Sequence, residues 1–261
     1  MRAFGAIAVA AFAVCTLVSV RTVGAAAAFE IVEPASIGVR WFEADTRAPG
    51  DGHFEFGPAT PPAGTGSDEL RTPHAHGPDP NRAKAQLMTI QYDNTTLASL
   101  AEISYNTYRD PASKGFSGAV AALTLRVDTG NDGLPDAYFV YESSVDRGTR
   151  AVQTGVWQEW STIRGGQGMW WVTTSSKSKS CSKSKPCTWS ALMTMFPTAT
   201  IQEGASCGTA SAPIMPCPGS LVFDLGTDHG KAISNVDELV VTYKAIPARQ
   251  DSRSFRQPDH A

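Results

Sequence analysis

The stretch LTLRVDTGNDGLPDAYFVYE, residues 123–142, decides how this chain is read. Its two ends, LTLRVD and AYFVYE, are rich in branched and aromatic residues, while its centre collects Thr, Gly, Asn, Asp and Pro. Branched and aromatic runs bounded by turn formers are strands rather than helix turns.

Working outward, similar short runs recur with turn residues between them: GVRWFEA (38–44), AQLMTIQY (85–92), AEISYNTYR (101–109), VAALTLRVD (120–128), AYFVYES (137–143), VQTGVWQEW (152–160), MWWVTT (169–174), TATIQ (198–202), SLVFDLG (220–226) and VDELVVTYK (236–244). Ten strands at this spacing predict an all-β fold, a two-sheet antiparallel jelly-roll sandwich. One short helix is expected where Trp189, Leu192, Met193 and Phe196 fall at helical spacing, after a Ser or Thr cap and before Pro197. A shorter helical turn is expected after Asn94, and residues 57–82 read as loop around a short strand at Asp68–Arg71.

Arg2 and the apolar run FGAIAVAAFAVCTLVSV (4–20), followed by GAAAA (24–28), have the layout of a signal peptide cut near Ala27 or Ala28. An uncleaved anchor is the alternative reading, but no second run of this length could enter a bilayer after cleavage. The expected organisation is a leader over 1–28, a single β-sandwich domain over 29–247 and a disordered tail over 248–261, acting as an extracellular monomer. Acidic residues, 25, outnumber the 22 basic ones even before two leader arginines are removed, which argues against nucleic acid as a partner. Cys181, Cys187, Cys207 and Cys217 lie outside the leader, an even number that reads as two disulfides in an oxidising compartment. Three pairings exist, and the short intervals favour Cys181 with Cys187 and Cys207 with Cys217.

Several strings together, GHFEFGPATPPAGTGSDEL, AEISYNTYR, LTLRVDTGNDGLPDAYFVYE, VWQEW, GGQGMWW, FPTATI and NVDELVV, resemble a family of secreted bacterial jelly-roll proteins that carries no assigned activity. The resemblance spans about residues 36–244 and departs from the family at Trp160-Ser161, where an Asp usually follows the tryptophan, and in the Lys/Ser-rich loop 175–187. That family is similar to laminin-G-like and carbohydrate-binding sandwiches, and the resemblance implies a glycan-binding role by fold alone.

Candidate sites follow from residue chemistry. Asp128, Asp132 and Asp136 recur every four residues around Gly133, a spacing of hard oxygen ligands that suits calcium, although Gly130 stands where calcium loops of this kind carry a third side chain. The alternative is a plain turn. Tyr141, Trp157, Trp160, Trp170 and Trp171 gather in one region, and flat rings beside Glu159 and the nearby amides would make a stacking platform for sugars. Alternation in a strand allows only one of Trp170 and Trp171 to face the core, and sets Trp157 and Trp160 on opposite faces. Glu142 and Glu159 are the acids embedded in the aromatic strands and the candidates for a carboxylate pair. His74, His76 and Asp79 are weak metal candidates, and the four lysines of loop 175–187 could attract an anionic polymer. GFSGA (115–119) and GTDHGKA (226–232) miss the nucleophile-elbow and phosphate-loop patterns. The residues therefore favour a non-catalytic binding module for an extracellular glycan or cell-envelope polymer. A polysaccharide hydrolase or lyase, and an envelope structural or interaction protein without a small ligand, are the alternatives.

Overall fold

The computed structural model describes residues 27–72, 83–146, 150–173, 180–203, 220–226 and 231–245. Those of them up to Lys244 gather into one compact unit. The strands are β1 (Ala27–Glu30), β2 (Asp51–Phe56), β3 (Gly66–Thr72), β4 (Ala85–Thr89), β5 (Leu100–Arg109), β6 (Ala122–Asp128), β7 (Ala137–Tyr141), β8 (Trp157–Ser161), β9 (Met169–Thr173), β10 (Cys187–Thr188), β11 (Thr200–Ile201), β12 (Leu221–Leu225) and β13 (Ala232–Tyr243). They form two sheets. Sheet one runs β2-β3-β13-β5-β8 with β1 also on β13, and sheet two runs β10-β9-β7-β6-β12-β4 with β11 on β6. Every pairing between these strands is antiparallel, giving the predicted two-sheet sandwich.

The predicted helix is α1 (Trp189–Met195), whose first turn is closed by the Thr188 hydroxyl accepting from the Ala191 amide at 3.2 Å. Trp189 and Leu192 enter the core from this helix. The turn expected after Asn94 is a 3-10 turn at Leu97–Ser99. Three strands escaped the sequence reading: β1, β2 and the two-residue β10, which pairs with β9. β2, DGHFEF, mixes glycine and charge because it sits at a sheet edge with β3 as its one partner. β1 is a four-residue stretch of small and mixed residues held by β13. One expected strand did not form. In GVRWFEA the chain makes only isolated bridges, because Gly38 (φ 78°) and Asp45 (φ 55°) turn it out of extended geometry at both ends.

Alternation decides what fills the space between the sheets. Leu123, Leu125 and Val127 of β6, Phe139 and Tyr141 of β7, and Trp170 and Val172 of β9 all point inward. An aromatic chain runs through this core: Trp189 to Trp170 (5.1 Å between centroids), Trp170 to Tyr141 (5.5 Å), Tyr141 to Tyr105 (6.5 Å), Tyr105 to Phe223 (5.1 Å) and Phe223 to Trp41 (5.6 Å). Such ring pairs add about 0.5–1.5 kcal/mol each beyond the area they bury.

One buried acid works against the fold. Asp68 points inward from β3 with no solvent exposure, and burial, followed by the neighbouring Glu43, Glu69 and Asp51 charges, raises its pKa well above the ordinary carboxylate range. A raised folded-state pKa gives stability that is complete below the unfolded value and is lost as pH rises through the folded one. Asp68→Asn, which cannot ionise, should therefore raise the melting temperature at pH 8 relative to wild type and narrow the difference at pH 4. A thermal melt at the two pH values checks this, and an equal shift at both would refute it.

Candidate functional site

The outer face of sheet two carries an open groove of about 440 Å³. The same alternation that sends Leu123 and Leu125 inward turns Ala122, Thr124 and Arg126 outward, and the register lines them up with neighbours in rows across the sheet. In the first row Gln86 pairs with Asp224 and Asp224 with Ala122, and Glu142, one residue past the end of β7, lines the groove beside them. The second row runs Met88, Val222, Thr124, Val140, Trp171. The third joins Arg126 to Tyr138 and Tyr138 to Thr173. Met88 and Val222 are sealed under Phe42 and Ala44, so the segment carrying Asp45 and Arg47 forms one wall of the groove.

The other wall is the loop closed by the Cys181–Cys187 disulfide. It places Lys183 Nζ 3.0 Å from Glu142 Oε1 and 5.8 Å from the centre of the Trp171 ring. The bridge closes a short loop, spanning six positions. Replacing both cysteines by alanine should lower stability by about 2 kcal/mol, by loop-closure entropy. An unchanged denaturation midpoint would count against this. Cys207 and Cys217 lie outside the described residues, as do His74, His76 and Asp79.

Charge in the groove is balanced by contact. Burial pushes the Asp45 carboxyl up, but Lys84 at 3.0 Å and Arg47 at 3.3 Å outweigh it and hold the group below its usual value. Burial pulls the Arg126 guanidinium down, with Tyr138, Asp45, Glu203 and Asp93 nearby resisting. Asp224, hydrogen-bonded to Gln86, is raised by burial, with Lys84 opposing and Asp45 and Glu142 adding to the rise. Four buried polar atoms of groove residues have no hydrogen-bond partner among the described residues: Gln86 Oε1, Glu142 Oε2, Trp171 Nε1 and Asp224 Oδ1. Unsatisfied buried atoms cost about 1–3 kcal/mol each, so four at one place are a reservoir that a hydroxyl-bearing ligand can draw on.

The predicted platform is divided by the fold. Trp171 faces the groove, half-buried, while Trp170 beside it is fully enclosed and donates to the Thr162 carbonyl at 2.9 Å. The GGQG turn sets this choice. Gly165 (φ 62°) and Gly166 (φ 97°) reverse the chain after β8, and a Cβ at Gly168 would overlap the Thr162 carbonyl. Trp160 and Tyr141 are likewise enclosed, at 1% and 0% exposure, so the expectation that they and Trp170 contact ligand is corrected: their rings have no free face. Trp157 and Trp160 do point to opposite faces. Trp157 lies outside sheet one, packed on Tyr108 at 5.6 Å with its indole N–H donating to the Pro58 carbonyl at 3.0 Å.

Glu159 also faces out of sheet one, on the strand next to β5, whereas Glu142 lines the groove of sheet two. The two acids are on opposite sheets, so they do not form the expected pair. Gln86, Arg126 and Asp224 were missed as site residues. The available signal was a polar residue at an alternate position inside an otherwise apolar strand, as in AQLMT, LTLRV and LVFDL.

In the aspartate loop the three carboxylates are hydrogen-bonded within the turn. Asp128 accepts from the amides of Gly130 (2.9 Å), Asn131 (2.6 Å) and Gly133 (2.7 Å), Asp132 from Leu134 (3.0 Å), and Asp136 from the amide and hydroxyl of Thr129 (3.0 and 2.7 Å). The carboxylates hold the turn's own backbone, and among the described residues no three His, Cys, Asp or Glu side chains converge on a metal position.

No protein-family model matches the chain. No curated protein matches it either. Among solved structures, a crystal structure of domains CD (residues 230–489) of another protein is 11% identical, with 80% of this chain and 66% of that chain covered and a TM-score of 0.28. A second, a crystal structure with xylogluco-oligosaccharide, is 12% identical over 80% of this chain and 38% of that chain, with a TM-score of 0.27. The chain thus spans less than two thirds of either neighbour's length, and likeness this slight transfers nothing to it.

Proposed function

We propose that the protein binds a polysaccharide along the groove of sheet two, outside the cell. Trp171 and the exposed Tyr138 offer flat faces for the C–H surfaces of sugar rings, and Gln86, Thr124 and Asp224 offer hydrogen-bonding groups between them. The observation that carries this reading is the Trp171 indole turned away from the core onto a groove where buried polar atoms lack partners among the described residues. The apolar N-terminal run supports export.

Affinity electrophoresis of the full chain through gels containing soluble polysaccharides tests it. Retardation by at least one neutral polysaccharide, weakened about tenfold or more by Trp171→Ala and left intact by Trp157→Ala, is the expected result. Equal loss in both variants, or none in either, would remove the groove from the account.

A further inference from the structure

Asp224 of β12, opposite Ala122, and Glu142, one residue past the end of β7, lie on the two sides of β6 and line the same groove. Their backbones are therefore two strand spacings apart, about 9.5 Å. The single methyl of Ala122 leaves a dip between them instead of a ridge. Enzymes that hydrolyse glycosidic bonds with inversion hold two carboxyl groups about 6.5–9.5 Å apart, room for a sugar carbon and a water.

The two groups differ in their surroundings. Asp224 is hydrogen-bonded to Gln86, and burial favours its protonated form. Glu142 has the Lys183 ammonium 3.0 Å from one oxygen, an arrangement suited to a charged base. A separate observation points to a ligand here. Gln86 is 3% exposed and Glu142 8%, yet each lines the groove with a side-chain oxygen that has no partner among the described residues.

Resting on the glycan reading of this groove, we propose that Asp224 and Glu142 are a general acid and general base that hydrolyse a glycosidic bond of a neutral polysaccharide with inversion. Asp224 gives its proton to the glycosidic oxygen as the bond from that oxygen to the anomeric carbon breaks, and the leaving chain departs as an alcohol. Glu142 takes a proton from a water molecule whose oxygen bonds to the anomeric carbon from the opposite side. One water is consumed, two chain ends result, and solvent returns a proton to Asp224 and accepts one from Glu142. Trp171, one row from Glu142 and also beneath Lys183, holds the neighbouring sugar ring. Neutral glycans are favoured because a uronate would set its own carboxylate against this pair.

The full-length protein, incubated with soluble arabinoxylan, mixed-linkage β-glucan or galactomannan, should release reducing ends, with polygalacturonate uncleaved. Asp224→Asn and Glu142→Gln should each slow release by about 100-fold or more. Glu142→Gln should still be retarded in gels of the same polysaccharide, and both variants should unfold in a cooperative thermal melt, which separates lost chemistry from lost folding. Proton NMR of the first product should show the inverted anomer. Retardation without any release would overturn hydrolysis and leave the binding reading standing. Neither retardation nor release would overturn both, and a retained anomer or cleavage of polygalacturonate alone would overturn the roles assigned here.

Discussion

Trp170→Ala should cost about 3–5 kcal/mol of stability, read as a fall in the denaturation midpoint, whereas Trp171→Ala should cost about 1 kcal/mol or less. The two residues are chemically identical neighbours, so the contrast comes from the sheet alone. Trp170 is fully enclosed between Tyr141 and Trp189, and its indole N–H is the donor to the Thr162 carbonyl. Alanine there leaves a cavity in the aromatic chain and an orphaned carbonyl together. Trp171 has one side over the groove, where water replaces the ring without opening a void. Equal losses in the two variants would mean that β9 is in the other register and that the groove is misassigned.

Stability should fall by up to about 3 kcal/mol as pH rises from 4 to 7, and Asp237→Asn should remove much of that slope. Asp237 sits on the irregular stretch of β13, buried, where its carboxyl accepts from the Ala63 amide at 2.9 Å and the Val32 amide at 3.4 Å. Burial outweighs these hydrogen bonds and pushes its pKa up to about 6. The direction follows from linkage. A pKa raised from 3.8 to about 6 means that the folded state binds the proton more tightly. That stabilisation is whole below pH 3.8 and gone once pH passes about 6. Urea titrations at half-unit pH steps measure it. An unchanged slope in Asp237→Asn would assign the effect to other buried acids such as Asp68. The asparagine should also lose one acceptor, lowering stability at pH 4 by about 1 kcal/mol.

The sheet architecture was legible because alternation is a local property. LTLRVD and AYFVYE contain the whole instruction for β6 and β7, and Thr188 with Pro197 brackets α1. The Trp170–Trp171 alternative was legible as a choice of one, but not which one. That choice depends on how the GGQG turn meets β9 and on Cys187 pairing opposite Trp170. The groove was only half visible. Trp171 and Glu142 were singled out, yet Asp224 lies 82 positions from Glu142 along the chain, and only the order β7-β6-β12 brings them to one groove. Glu159 drew attention for the opposite reason: proximity in sequence to aromatic residues that the fold sends to the other side. The aspartates of the 128–136 loop have the composition of a cation site, but their use by backbone amides is a matter of turn conformation, which composition does not encode.

β13 has a consequence for how the molecule is made. It is the last strand among the described residues, and it lies between β3 and β5 while also holding β1. Until its twelve residues arrive, three strands of sheet one have no common partner. A polypeptide emerging N-terminus first, from a ribosome or through a narrow pore, therefore has to reach Tyr243 before half of the sandwich can close. Chains cut short of Ala232 would present open strand edges to one another, which makes premature termination a route to aggregates rather than to a smaller working fragment.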